Sequence, residues 1–139
     1  MLFNYGELTL DEQYSFISQV RQSLVNSNLL TNEELCKQSL FIPDGFFYND
    51  RILKEFTIPD NVGLIGDSAF ANCASLRKIT LSKSVKRIGQ EAFANCLSLE
   101  TIIFKGSKDD WMDIDFEDAW DYNAGLSTSK HHFEVKYLK

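Results

Sequence analysis

The chain has 139 residues, of which 44% are hydrophobic and 13% aromatic, with only 7 glycines and 2 prolines. This composition fits one globular domain with a continuous core and disfavours extensive disorder. The net charge of -6 disfavours nucleic acid as the main ligand, because phosphate binding needs clustered lysine and arginine.

Targeting signals are not evident in the sequence. It has no run of 18 apolar residues, so no membrane span is expected. The first residues lack a basic stretch followed by an apolar one, which is the pattern of a secretory signal. The sequence as written therefore predicts a cytoplasmic protein, or a secreted or surface protein if a leader has been removed.

Two helices are predicted in residues 1–41. Thr9 and Glu12 form a capping box, and Thr31 and Glu34 form a second one. The first predicts a helix over residues 10–26, and the second a shorter helix through about Leu40. The first helix has apolar residues at helical spacing, namely Leu10, Tyr14, Ile17, Val20 and Leu24. We expect these helices to cap the core that follows, and a separate recognition surface is the alternative.

The central part of the chain contains an internal repeat. Residues 65–81 return as residues 88–104, with ten of 17 aligned positions identical. A weaker copy precedes them, because Ile42, Phe47 and Phe56 fall in the same register as Ile65, Phe70 and Ile79. A fixed period in the twenties predicts units that bury their apolar sides by stacking on one another. We therefore expect a repeat core over residues 42–104.

Each copy is expected to contribute one short strand to a parallel sheet. The segments 56–58, 79–81 and 102–104 alternate between core and surface positions. The Ala-Phe-Ala segments around Phe70 and Phe93 are expected to form a helical turn that sends each ring into the core. The outward positions of the strands are candidate partner-binding residues: Glu55, Thr57, Lys78, Thr80, Thr101, Ile103 and Lys105.

The repeat resembles the BspA-type leucine-rich repeat family in its order of Ile-Gly, Ala-Phe, Asn-Cys, and then Leu, Ile and Leu. The resemblance covers residues 42–104. It implies an α/β fold, specifically a short right-handed leucine-rich repeat solenoid with parallel strands, used as a binding scaffold and without enzymatic activity. Many members are secreted or surface-anchored proteins of bacteria and some eukaryotic parasites.

Residues 105–139 are predicted to close the core as a helix-plus-strand cap. Residues 104–120 resemble a closing segment of the same family, a strand followed by Gly-Ser and a helix with two spaced tryptophans. Ser107 with Asp110 predicts the start of that helix. Trp111, Phe116 and Tyr122 fall where a fourth copy would place its core residues. A last edge strand is expected from the alternation of Phe133, Val135 and Tyr137 with charged residues.

The repeated polar residues are interpreted as structural. Cys73 and Cys96 occupy one repeat position and are expected to be stacked, buried thiols, with a disulfide as the alternative in an exported protein. Asn72 and Asn95 are expected to satisfy backbone groups at a corner. The two histidines, His131 and His132, are adjacent and are expected to point to opposite faces of a strand, so no metal, cofactor or catalytic site is predicted.

The acidic segment 109–121 contains seven acids and no basic residue. Its plain interpretation is the solvated outside of the capping helix, and the spacing does not match a calcium loop. The sharper hypothesis is an acidic surface that docks on a basic partner. Its candidate residues are Asp110, Asp113, Glu117 and Asp118.

These observations favour a non-enzymatic protein-protein interaction module, with a protein of unknown identity as partner and a monomer or weak dimer as its state. The first alternative is a small acidic intracellular inhibitor of a nucleic-acid enzyme, of the kind that phages make. The second alternative is a fragment of a bacterial surface adhesion protein.

Overall fold

The computed structural model describes residues 5–28, 31–37 and 40–139. It is an α/β repeat fold with two parallel sheets and few helices. A short 3-10 helix at Tyr5–Glu7 precedes the other elements. These are α1 (Leu10–Asn26), α2 (Asn32–Lys37), β1 (Phe41–Ile42), β2 (Glu55–Thr57), β3 (Leu64–Ile65), β4 (Lys78–Leu81), β5 (Arg87–Ile88), β6 (Thr101–Phe104), α3 (Lys108–Met112), β7 (Asp115–Phe116) and β8 (Glu134–Tyr137). Across the described ranges, no helix is both long and apolar enough to span a bilayer.

The helix starts follow the capping residues. The Thr9 side chain accepts a hydrogen bond from the Glu12 N–H at 3.2 Å, and the Glu12 carboxylate accepts one from the Thr9 N–H. Hydrogen bonding of the Glu12 carboxylate to the Thr9 backbone N–H, and then to the Thr9 side chain, lowers the pKa of Glu12. Helix α1 therefore has its predicted bounds. Helix α2 begins after Thr31 as predicted, while its expected extension to Leu40 falls partly on residues 38–39, which lie outside the described ranges.

The strands predicted from the repeat form the second sheet, in the order β2-β4-β6-β8. Glu55 pairs with Lys78 and Lys78 with Thr101, so neighbouring strands lie 23 residues apart in parallel register. Side chains in β4 and β6 alternate between half-buried and buried. This confirms the predicted parallel strands to within one residue at their ends.

The first sheet, β1-β3-β5-β7, was not predicted. Each of its strands has two residues, and Ile42, Ile65 and Ile88 lie at successive positions of the same ladder. Two residues are too few for an alternating pattern to be recognised in a sequence. Each repeat copy therefore contributes one strand to each sheet.

The segments around Phe70 and Phe93 form successive turns, and the prediction of a helical turn was wrong. Alternate N–H groups point to the next copy: Phe47 donates to Ala69 O, Phe70 to Ala92 O and Phe93 to Trp120 O, each at 2.7 Å. Positive φ angles of 53° at Ser68 and 61° at Asn72 make this alternation possible. A third ladder of backbone bonds thus joins the copies, which a helical turn could not form.

A column of phenylalanines fills the core. The rings of Phe47 and Phe70 stack with centroids 4.8 Å apart, and those of Phe70 and Phe93 with centroids 5.0 Å apart and planes at 5°. All three residues are fully buried. Equivalent side chains 23 residues apart therefore lie one above another, as the repeat predicts.

The Ile-Gly pair marks a close approach between copies. A side chain at Gly66 would lie 2.6 Å from the Asp44 N atom and 2.7 Å from Ile42 O, so only glycine fits. The Asp44 carboxylate accepts a bond from the Asp67 N–H at 2.7 Å, and Asp67 accepts one from Gln90 at 2.9 Å. These bonds repeat at the corner that follows β1 and β3.

The predicted register of the fourth copy was wrong. Ile88 pairs with Phe116, an offset of 28 residues, where the sequence analysis placed Trp111. The five-residue helix α3 is inserted before this copy and shifts it by one helix length. Trp111 instead packs against Phe104 and Phe116 and covers the core. The final strand β8 pairs in parallel with β6, as Ile102 with Val135.

The buried face of helix α1 shares only Tyr14 with the predicted face. Its buried residues are Tyr14, Ser18 and Arg21, whereas Leu10 and Val20 are exposed. Gly45, with φ at 67°, leaves room for Tyr14, because a Cβ atom there would lie within 2.7 Å of its side chain. A pattern of apolar residues does not predict the burial of an arginine, so Arg21 could not be recognised on this face.

Candidate functional site

The exposed side of the second sheet is the first candidate surface, and we call it the outer sheet face. The ladder aligns its side chains in two rows that run across the four strands. The opposite side of the same strands is filled by Phe56, Ile79 and Ile102, which are buried. The rows are Glu55, Lys78, Thr101 and Glu134, and Thr57, Thr80, Ile103 and Lys136.

The centre of the outer sheet face is half-buried, and its edges are exposed. Lys78, Thr80, Thr101, Ile103 and Lys105 are half-buried, whereas Glu55 and Thr57 are exposed. Ile103 is the apolar residue among the outward positions of β4 and β6, and Thr80 lies beside it. An aliphatic side chain with a polar surround resembles the centre of a protein interface.

Two ion pairs of the outer sheet face are loose, and a third joins Lys130 to the Glu134 carboxylate. Lys78 Nζ lies 3.8 Å from the Glu55 carboxylate, and Lys105 Nζ lies 3.3 Å from the Asp60 carboxylate. Exposed pairs of this kind contribute about 0–1 kcal/mol to folding. Their exchange for contacts with a partner therefore costs little.

Of the four acidic candidate residues, two form bonds within the chain and two remain exposed. The Asp110 carboxylate accepts a bond from the Ser107 N–H at 3.1 Å, which lowers the pKa of Asp110 and caps α3. Glu117 forms an ion pair with Arg87 at 2.6 Å. Asp113 and Asp118 remain exposed. The acidic surface is therefore smaller than the sequence indicates.

The repeated asparagines bond to one another. Asn95 Nδ2 donates to Asn72 Oδ1 at 3.0 Å, and Asn123 Nδ2 donates to Asn95 Oδ1 at 3.3 Å. The three residues have φ angles of 61°, 58° and 59°. Asparagine tolerates this conformation better than most residues. The amides form a ladder of side chains, where the sequence analysis expected bonds to corner backbone groups.

The repeated cysteines are free, buried thiols, as expected. The Cys73 Sγ donates to Phe47 O and the Cys96 Sγ to Phe70 O, each at 3.0 Å. Burial, followed by the neighbouring Cys96, raises the pKa of Cys73 well above its usual value. The Cys73 thiol therefore stays protonated, and both cysteines serve as small core residues whose thiol is a weak donor.

Metal-binding geometry is absent from the part of the chain that the structure describes, where no group of three or more His, Cys, Asp or Glu side chains could hold an ion. The two histidines precede β8 in a bend, so the expected placement on opposite faces of a strand was wrong. His131 contacts the Leu126 carbonyl through Nδ1 at 3.2 Å.

Sequence reasoning missed an apolar groove beside α1, with a volume of about 500 Å³. Its apolar lining is Phe16, Ile17, Val20, Leu24, Leu35, Pro43 and Phe46. Three of these residues, Ile17, Val20 and Leu24, belong to the face that the sequence pattern assigned to the core. The periodicity located the apolar residues correctly but not the direction they face.

Comparison with protein families gives one match. A family model described as the BspA-type leucine-rich repeat region of six copies matches residues 40–120. Neither curated proteins nor solved structures give a match. The matched residues extend from β1 to the turns after β7 and contain all four strands of the first sheet and strands β2, β4 and β6 of the second. The chain belongs to the BspA-type leucine-rich repeat family.

Proposed function

We propose that this chain is a non-enzymatic protein-binding module that engages its partner through the outer sheet face. The family is a repeat scaffold associated with protein interaction or adhesion and is typically non-enzymatic. The observation that carries the proposal is the ladder that sets Thr57, Thr80 and Ile103 side by side on the outside of a filled core.

The proposed architecture is a short right-handed solenoid. Residues 1–41 would cap its first copy, residues 42–104 would form the repeat core and residues 105–139 would cap its last copy. Three facts support this division: the 23-residue register among the first three strands of each sheet, the packing of α1 on the first copy and the position of Trp111 over the core.

The outer sheet face is mixed in chemistry, which suits a protein partner better than a small ligand. Small-molecule sites are concave and largely apolar, whereas these side chains stand on the surface of a sheet. The polar residues Glu55, Lys78, Thr101 and Lys105 would supply polar contacts around Thr80 and Ile103. Contacts of this kind set specificity more than affinity.

The test is affinity capture from the native host with three forms of the chain. The wild type, a Thr80→Arg/Ile103→Arg variant and a Gln90→Arg control would be immobilised side by side, and captured proteins identified by mass spectrometry. Gln90 is exposed in the turn before the third copy's Phe93 and away from the outer sheet face. We expect the wild type and the control to capture the same protein and the double variant to lose it. Equal capture by all three would contradict the proposal.

A second candidate function is inhibition of a nucleic-acid enzyme by the acidic C-terminal segment. The exposure of Asp113 and Asp118 favours it. Asp110 and Glu117 would take part through their free oxygen atoms, since each already has an internal partner. Binding that weakens with salt, competes with DNA or RNA and is lost in Asp113→Lys/Asp118→Lys would support this function. Loss of binding in the outer-sheet-face variant alone would exclude it.

Adhesion at a cell surface is a third possible function, and membership of the BspA-type family is what supports it. It uses the same outer sheet face with a partner on another cell. Capture from whole cells or from their surface proteins, against capture from cytoplasmic extract, would distinguish the two settings.

A further inference from the structure

Strand β8 is an edge strand among the residues that the structure describes, since it pairs only with β6. The Glu134 N–H donates to Glu100 O at 2.9 Å, and the Leu138 N–H donates to Phe104 O at 3.0 Å. Because backbone groups alternate sides along a strand, the N–H and C=O groups of Val135 and Tyr137 point away from β6. This edge offers hydrogen bonds to another strand.

The side chains of β8 differ on its two faces. Phe133, Val135 and Tyr137 pack against the core but remain half-buried. Glu134 and Lys136 are exposed on the outer side, where the Glu134 carboxylate also forms an exposed ion pair with Lys130. The edge therefore has an incompletely covered apolar row on one face and one charge of each sign on the other.

We propose that β8 pairs antiparallel with β8 of a second copy of this chain, about a twofold axis at Val135. Val135 would exchange two backbone hydrogen bonds with Val135 of the second copy, as directly opposed residues do in an antiparallel ladder. Glu134 would then face Lys136 of the second copy, and symmetry repeats that contact. Such non-hydrogen-bonded pairs bring side chains close, with Cα atoms about 4.5 Å apart.

The charged side chains of the edge strands favour this pairing of β8 with β8 over the other possible pairings of the sheet edges. Continuing the parallel sheet from β8 of one copy to β2 of another would place Glu134 beside Glu55, a like-charge contact. Antiparallel pairing of β2 with itself offers no attraction between opposite charges, because Glu55 is the only charged residue of that strand. The β8 pair is self-complementary, as a twofold interface must be.

The dimer joins two outer sheet faces into one eight-stranded sheet. The contact is one strand wide and falls below the size of a standard stable interface, so the association should be weak and concentration-dependent. It also covers the apolar row of Phe133, Val135 and Tyr137 from both copies.

Sedimentation equilibrium of the full chain from about 1 μM to about 1 mM tests the proposal. Four forms are compared: the wild type, Glu134→Lys, Lys136→Glu and the double variant Glu134→Lys/Lys136→Glu. Each single variant places like charges opposite each other twice and should weaken dimerisation at least about tenfold. The double variant restores opposite charges and should dimerise like the wild type.

A mixture of the two single variants gives the most specific test of the proposed charge pairing. Glu134→Lys presents two lysines and Lys136→Glu presents two glutamates, so they should form a mixed dimer that neither forms alone. Thermal unfolding of each variant verifies that it is folded. A wild type that stays monomeric throughout, or a dimer that ignores all these changes, would overturn the proposal.

Discussion

The guanidinium of Arg21 lies 2.6 Å from the carboxylate of Asp50, and both side chains are almost completely buried. The guanidinium also donates to Phe46 O at 2.7 Å and to Asn32 Oδ1 at 2.8 Å, and it lies 4.4 Å from the centre of the Phe47 ring. One side chain thus connects α1, the start of α2 and the first repeat copy.

Arg21→Ala should lower the free energy of unfolding by about 3–5 kcal/mol, because it leaves the Asp50 carboxylate buried without its partner. Urea denaturation measures the loss. Lys105→Ala, which breaks the exposed pair with Asp60, is the matched control and should cost about 1 kcal/mol or less. Similar losses in the two variants would show that the buried pair does not hold α1 in place.

Phe70 lies between two stacked rings, and its removal tests the core column. Phe70→Ala should lower the free energy of unfolding by about 3–5 kcal/mol, since a large buried side chain is lost and a cavity remains. Phe70→Leu should cost less because it fills part of that cavity. Equal stability of Phe70→Ala and the wild type in urea would contradict the stacked packing of Phe47, Phe70 and Phe93.

Variants of Asn95 distinguish the contribution of its backbone conformation to stability from the contribution of the asparagine ladder. Asn95→Gly keeps the left-handed φ of 58° but removes the amide bonds to Asn72 and Asn123. Asn95→Ala loses the bonds and also strains the backbone. We expect the alanine variant to be about 1–2 kcal/mol less stable than the glycine variant. Equal free energies of unfolding for the two variants in urea would mean that the backbone around residue 95 relieves the strain of a left-handed alanine.

The raised pKa of the Cys73 thiol predicts a loss of stability in alkali. In the unfolded chain the thiol ionises near pH 8.5, whereas burial keeps it protonated in the folded chain. Its stabilising contribution is therefore complete below that pH and declines as the pH rises, by at most about 1.4 kcal/mol per pH unit. Urea midpoints from pH 7 to pH 10 should fall less steeply for Cys73→Ala than for the wild type. Parallel slopes would contradict a buried, protonated thiol.

Much of the repeat could be predicted from the sequence because its equivalent residues recur at a fixed spacing. The 23-residue register placed Ile79 opposite Ile102 and stacked Phe70 on Phe93, and the capping box at Thr9 fixed the start of α1. These features depend on residues close in sequence or repeated within it.

The remaining features depend on distant residues, which a single sequence does not connect. The buried partner of Arg21 lies 29 residues away, and it decides which face of α1 turns inward. The insertion of α3 displaces Phe116 from the expected register by five residues. Likewise, the engagement of Glu117 with Arg87 reduces the acidic surface through a contact that the composition cannot show.

The affinity of the captured partner for Ile103→Arg tests the central claim most directly. Titration calorimetry with the wild type, Ile103→Arg and the Gln90→Arg control measures it, with unfolding curves to verify that each form is folded. We expect Ile103→Arg to weaken binding by about 2 kcal/mol or more, roughly thirtyfold, and the control to bind like the wild type. A folded Ile103→Arg with unchanged affinity would contradict the assignment of the outer sheet face as the binding surface.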